Sequence, residues 1–213
     1  MRMIKQRERE MRSIGTSTRR SLALALLAPL AGLSACVSLG GAEPPASLLT
    51  LTPEAAAPAG SALTAASGQA IALQDIAVPA EIDVLRVPVR VDATSVAYLK
   101  DALWVDRPGQ LIRRLLAETI RVRTERVVLG GSDPLARGAL QLRSQVNEFG
   151  YDAARSAVVV QIDAMLVGPD GTVRQQRFEA VEPGVIAQPA PVGAALNRAA
   201  NEVARQIADW AAQ

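Results

Sequence analysis

Apolar and polar residues alternate most regularly between residues 139 and 181, where they predict three consecutive strands. The predicted strands cover residues 139–150, 156–167 and 172–181. One face of the middle strand carries Val158, Val160, Ile162, Ala164 and Leu166. Gly168-Pro169-Asp170-Gly171 favours a hairpin turn, because proline presets φ and glycine tolerates a positive φ. The segment is therefore predicted to form an antiparallel meander.

Two other segments have the periodicity of amphipathic helices. The first begins at Pro108, and its apolar stripe consists of Leu111, Ile112, Leu115, Leu116, Thr119 and Ile120. The second follows Pro189 and Pro191, and its stripe consists of Leu196, Ala199, Ala200, Val203, Ile207 and Trp210. We expect both stripes to cover the sheet and Trp210 to lie in the core.

Shorter apolar runs predict further strands near residues 71–79, 83–91, 95–99 and 127–129. Pro88 indicates that its strand is an edge strand or carries a bulge, because proline lacks the N–H that an interior strand donates. Residues 47–52 form an isolated apolar stretch and a possible edge strand. Together these elements predict an α+β fold, with a single mixed, largely antiparallel sheet packed by two amphipathic helices.

The first 35 residues have the pattern of an export signal. Residues 1–20 are basic, and residues 21–33 carry no charge but are too few to span a membrane stably. Leu33-Ser34-Ala35-Cys36 follows and resembles the lipobox of bacterial lipoproteins. A buried, inert cysteine and an ordinary signal peptide with a chance cysteine are the alternatives. The common register of basic flank, apolar stretch and small residues favours cleavage between Ala35 and Cys36 and acylation of Cys36, the only cysteine in the chain.

Composition divides the chain into three parts. Residues 1–35 are predicted to be a lipoprotein signal peptide, for which Met11 is an alternative start. Residues 36–69, rich in Gly, Pro, Ala and Ser, are predicted to be a lipidated tether with the possible edge strand at 47–52. Residues 70–213 are predicted to be a globular periplasmic domain. The net charge is +5 in residues 1–35 and −3 in the remainder. A nucleic-acid partner is therefore not expected.

The chain lacks the residues of most catalytic and metal sites. It has no histidine, no Gly-x-Ser-x-Gly motif, no phosphate loop and no dinucleotide fingerprint. We therefore predict no catalytic residues, no cofactor and no metal, and expect a protein that is not an enzyme. Acidic residues such as Asp75 and Asp83 have no supporting pattern, although sequence alone leaves a carboxylate-dependent hydrolase open.

Several stretches occur in an order that resembles one family. They are the lipobox, LLTLTP, VAYLKDALWVDRPGQLIRRLLAETI, LQLRSQVNEFGYD, VVVQIDAMLVGPDGTVRQQRFEA and AALNRAANEVARQIADW. Over residues 33–211 the chain resembles the auxiliary lipoproteins of ABC-type lipid-transport systems with MCE-domain subunits. These include the lipoprotein of the paraquat-inducible system and the cholesterol-transport auxiliary components.

The resemblance has consequences for single positions. Tyr98 and Trp104 match aromatic positions before the family's first helix, Phe178 matches the phenylalanine of its third meander strand, and Trp210 matches the tryptophan of its last helix. The family often has tyrosines where this chain has Leu48-Leu49. The implied fold is a mixed sheet packed by two helices, also seen in the amino-terminal domain of the Tol-system propeller protein.

The resemblance also implies a function. It predicts a lipoprotein anchored through Cys36 that docks an MCE-type ABC lipid-transport assembly at the membrane, with an MCE-domain protein as partner. Val37 and Ser38, rather than aspartate, follow the cysteine and favour the periplasmic face of the outer membrane. Leu48, Leu49 and Leu51 are a possible partner edge, and a homo-oligomer is possible. The alternative functions are an assembly lipoprotein of a lipopolysaccharide or cell-wall machine, or a carboxylate-dependent hydrolase.

Overall fold

The structure, a computed structural model, describes residues 47–213. The predicted signal peptide and Cys36 lie outside the described residues. The described strands are β1 (Ile71–Leu73), β2 (Arg86–Arg90), β3 (Val96–Leu103), β4 (Val128–Gly130), β5 (Leu140–Asp152), β6 (Ala157–Val167) and β7 (Val173–Pro183). The helices are α1 (Pro108–Thr124) and α2 (Pro189–Ala211). Short 3₁₀ turns occupy Ser67–Gln69 and Pro134–Gly138.

All seven strands join one mixed sheet built around β5. On one side β5 pairs with β6, and β6 pairs with β7, both antiparallel. On its other side the first part of β5 pairs with β1 and its end pairs with β2, both parallel. β4 then adds to β1, and β3 adds to β2. The two longest registers are antiparallel, and the prediction of an α+β fold with one mixed sheet and two helices is confirmed.

The predicted meander is the best-matched region. β5, β6 and β7 begin and end within two residues of the predicted strands, and the 158–166 face of β6 is buried as predicted. Both predicted helices are present, and their apolar stripes pack on this face to form one core that includes Trp210. The opposite face has a small alanine cluster beneath Pro134–Gly138. The remainder of that face on β5 and β7 carries mainly polar residues such as Arg143, Gln145, Gln175 and Arg177.

The prediction of an edge strand at Pro88 is wrong, and the irregular register beside Pro88 has its extra residues in β3 rather than in β2. β2 lies between β3 and β5, and its register with β3 shifts between Arg86 and Pro88. β5 approaches β2 so closely that a Cβ on Gly150 would lie 2.5 Å from the Pro88 carbonyl oxygen. The irregular register and the close glycine contact accommodate a proline within an interior strand.

β3 is longer than predicted, and it is the outermost named strand on this side of the sheet. The sequence predicted a strand over residues 95–99, whereas β3 continues to Leu103. Lys100 and Asp101 interrupt the apolar pattern, and Asp101 has a φ of 57°. A positive φ is unusual in a strand, so the chain is locally irregular at this point and then resumes pairing.

Candidate docking edges of the sheet

Of the three leucines predicted to form a partner edge, two are used within the chain. Leu49 forms a single parallel bridge to Trp104 beyond the end of β3, so residues 47–52 add one bridge rather than a strand. The Leu49 side chain packs against Gly193 of α2, where a Cβ would lie 2.5 Å from Leu49 Cδ2. Leu51 is 9% exposed and belongs to the core, whereas Leu48 is 51% exposed.

Residues 52–57, which we call the strap, continue from Leu51 across the two helices. The buried Asn201 of α2 accepts a hydrogen bond from the Glu54 N–H (2.9 Å) and donates one to the Thr52 carbonyl (2.9 Å). Asn197 Oδ1 accepts the Thr52 N–H at 2.8 Å. On α1, Glu118 accepts the Ala57 N–H at 2.7 Å. Part of the predicted tether is therefore fastened to the domain by side-chain hydrogen bonds.

The outer edge of β3 has backbone groups that its neighbour β2 does not use. The Val91 N–H donates to the Ser95 carbonyl at 2.9 Å, which fixes the alternation of the β2–β3 ladder. In this register Val96 and Tyr98 are non-hydrogen-bonded positions, so their N–H and C=O groups point away from β2. Tyr98 is opposite Pro88, which has no N–H to donate.

The far end of the β3 edge shows what such groups can bind. The Leu103 carbonyl accepts the Leu49 N–H at 2.7 Å, and the Val105 N–H donates to the Leu49 carbonyl at 2.8 Å. An extended, parallel segment of the chain thus already covers this end. No described strand lies beside Val96 and Tyr98.

β4 is a short edge strand that pairs with β1 alone, and the other long edge of the sheet is β7, which pairs with β6 alone. The Gly168 N–H donates to the Thr172 carbonyl, so alternation points the backbone groups of Gln175, Arg177 and Glu179 outward. Arg177 also makes a bidentate ion pair with Asp163 of β6, at 2.7 and 2.8 Å. These charged side chains stand along the β7 edge, whereas residues 96–99 of β3 carry no formal charge.

An aromatic pair lies under each edge. Trp104, just beyond β3, packs on Phe149 with ring centroids 5.3 Å apart. Phe178 of β7 meets Trp210 edge-on at 5.6 Å. Of the four aromatic residues that the family resemblance singled out, three lie in the core: Trp104, Phe178 and Trp210. The fourth, Tyr98, is half-exposed at the β3 edge. The Arg86 guanidinium lies 4.2 Å from the centroid of the Tyr98 ring.

No group of three potential metal-ligating side chains occurs among the described residues. Asp75 and Asp83 are not brought together as a pair; Asp83 binds Arg107 at 2.8 Å, and Asp75 lies 3.8 Å from Arg113. No helix in residues 47–213 has both the length and the apolar character needed to cross a membrane.

The displaced pKa values of the described carboxyls all move downward. Hydrogen bonds from Arg177 lower the pKa of Asp163 from 3.8 to about 2. Arg205 lowers the pKa of Glu202, the Thr94 N–H lowers that of Asp92, and the Thr172 hydroxyl lowers that of Asp170. A general acid at neutral pH needs a raised pKa, so these four groups are ion-pair or turn residues rather than poised acids.

A family model described as "ABC-type transport auxiliary lipoprotein component" matches residues 49–208. This chain belongs to that family. The match begins at Leu49, so it includes the strap, and it ends within α2. No curated protein matched the chain.

Two of the solved structures that match the chain, those with TM-scores above 0.5, share its fold. A crystal structure of an uncharacterized protein has a TM-score of 0.60 and 15% identity, covering 78% of this chain and 99% of that chain. Protein XCC0632 from Xanthomonas campestris, of family DUF330, has a TM-score of 0.57 and 20% identity, covering 76% and 91%. The PelC L103M dodecamer from Paraburkholderia phytofirmans has a TM-score of 0.41 and 17% identity, covering 68% and 89%.

The sequence pattern missed the polar residues of the strap and the location of the open edge. Asn201 is a buried polar residue beside the apolar stripe of α2, and Asn197 lies one helical turn earlier. Two asparagines four residues apart on a helix were a usable signal for a backbone-binding site. The β3 edge gave less signal, since Val96 and Tyr98 differ from interior strand residues only in what lies beside them.

Proposed function

We propose that this protein is an outer-membrane-anchored periplasmic lipoprotein that docks an MCE-type ABC lipid-transport assembly at the membrane. The observation that carries the proposal is the family match over residues 49–208, which joins the chain to ABC transport. The lipobox ending at Cys36 supplies the anchor. Two acyl chains hold a protein stably on a membrane, at roughly 0.8 kcal/mol per buried CH₂ group.

A docking role requires no catalytic group, and the ATP-hydrolysing subunit would be a different protein. The downward pKa shifts and the lack of a metal-ligating cluster in residues 47–213 fit this role. What docking does require is a surface that can bind a partner. The open sheet edges provide such a surface, and Leu48 is the exposed member of the edge predicted from sequence.

Two measurements on the full-length protein test the proposal. Mass spectrometry of the amino-terminal peptide from membrane-purified protein should show an acylated Cys36 as the first residue. An unmodified Cys36 thiol, or a leader retained through Ala35, would contradict the anchor. Affinity purification from detergent-solubilised envelopes should recover a permease, an ATPase and an MCE-domain protein. Recovery of lipopolysaccharide or cell-wall assembly proteins instead would contradict the transport role.

A further inference from the structure

Residues 96–99 of β3 differ from the β7 edge, because they combine unused backbone groups with the absence of formal charge. Val96 is 50% exposed, and its backbone N–H and C=O point outward, as do those of Tyr98. Unpaired backbone groups of this kind are a template for another extended chain. We propose that residues 96–99 bind an extended segment of a partner protein, which adds a strand to the sheet beside β3.

The chain itself shows that this edge accepts an extended segment. Leu49 binds the outward groups of Leu103 and Val105 through two hydrogen bonds, in parallel orientation. Val96 and Tyr98 lie further along the same edge, on the other side of the irregularity at Asp101, so an added segment would lie end to end with residues 47–50. It would leave the Leu49 bridge intact, because the two segments use different positions of the edge.

Charge indicates the chemistry of the incoming segment. Arg86 lies over the Tyr98 ring, is exposed, and forms no ion pair with another described residue. The other arginine of β2, Arg90, is already paired with Glu148 at 2.9 Å. A segment with an acidic side chain near Tyr98 would pair with Arg86, and aliphatic side chains would pack against Val96. We therefore expect the segment to be extended, largely aliphatic and acidic at one position.

The proposal rests on the docking role, since a partner of the transport assembly is the protein that would supply this segment. It names the surface and the kind of segment, neither of which follows from family membership. The β7 edge serves as an internal comparison, because Gln175 also presents outward backbone groups and is exposed.

Photo-crosslinking of the full-length, membrane-bound protein tests the surface without disturbing its backbone. p-Benzoylphenylalanine replaces Val96 in one variant and Gln175 in the other, and both are irradiated in intact cells. We expect an adduct with a protein of an ABC transport system from position 96, at about tenfold higher yield than from position 175.

Each other result has a definite meaning. An adduct only from position 175, a dimer of this chain, an internal crosslink to the chain's own residues 37–46, or an adduct with lipid alone would overturn the proposed surface. An adduct from position 96 with a protein of another envelope machine would support the surface and overturn the transport role. If neither position gives a protein adduct while affinity purification still recovers the transporter, the surface is overturned and the transport role stands.

Discussion

The two long edges of the sheet, β3 and β7, have similar buried packing but differ in the charge of their side chains. Each edge rests on an aromatic pair, Trp104 with Phe149 on one side and Phe178 with Trp210 on the other. Each presents alternate backbone groups outward. The β7 edge is lined by charges, including an arginine in a bidentate ion pair, whereas residues 96–99 are uncharged. The two edges therefore differ in the charge of their side chains rather than in their packing, and the proposal attributes their different availability for pairing to that charge.

The largest effect is expected from truncating one ring of each aromatic pair, which tests whether the two pairs stabilise the fold equally. Trp104→Ala and Phe178→Ala should each lower the free energy of unfolding by about 3–5 kcal/mol, because each removes a buried aromatic side chain. Urea unfolding of the purified protein measures both. Trp104→Phe is the matched control and should cost less, since it keeps a ring and removes an indole N–H that has no partner among the described residues. A large loss in Phe178→Ala alone would mean that the edges differ in packing.

The next largest effect concerns the strap, which continues from the segment that binds the end of the β3 edge. Asn201→Ala should lower the free energy of unfolding by about 1–3 kcal/mol, because the Thr52 carbonyl and the Glu54 N–H lose their partner. Limited proteolysis should then cleave within residues 52–57. Asn197→Ala, which removes one hydrogen bond at a more exposed site, should have a smaller effect. Equal resistance of wild type and Asn201→Ala would show that the strap is held by other contacts.

The meander and both helices could be predicted from sequence because they follow a period. From Val160 to the end of β6 every second residue is buried, and in α2 the stripe repeats with the helical turn. Side chains that face a core obey that spacing whatever their partners are. The outcome for the candidate site was different: Cys36 lies outside the described residues and remains a prediction, whereas Leu49 and Leu51 face inward.

The remaining features depend on contacts between residues far apart in the chain. Pro88 is typical of an edge, yet the irregular register between β2 and β3 and the glycine at position 150 allow it an interior place. Asn201 binds residues about 150 positions away, and no local pattern records that contact. β3 is an open edge because it lies next to β2 and no named strand lies on its other side. The periodicity of a strand does not determine which strands become its neighbours.

A smaller effect tests the role of charge on β7. Replacing Arg177 and Glu179 together by threonine removes two charges at outward-facing positions and raises β-propensity. We expect this variant to associate in a concentration-dependent way that wild type does not show, as measured by sedimentation velocity in detergent. The matched change Val96→Thr on β3 alters no charge and should leave the wild-type state unchanged. If the β7 variant sediments as wild type does, charge is not what protects this edge.

The smallest effect concerns the ion pair on β7. The folded pKa of Asp163 is about 2, below its ordinary value of 3.8, so the pair stabilises the fold fully above pH 3.8 and loses this contribution as the pH falls through 2. The pair is partly exposed, so its contribution should be about 1 kcal/mol or less. Between pH 4 and pH 2, wild type should therefore lose this much more stability than Asp163→Asn in parallel melts. Identical slopes would contradict the assignment.

The most direct test of the central claim compares one proline on each edge. Val96→Pro and Gln175→Pro each remove an outward N–H, which leaves the ladder to the neighbouring strand intact. Both variants are expected to retain a cooperative melt. Recovery of the ABC transport partner from solubilised envelopes should fall about tenfold for Val96→Pro and remain at the wild-type level for Gln175→Pro. Full recovery by a folded Val96→Pro protein, or a loss confined to Gln175→Pro, would contradict the claim that β3 is the docking edge.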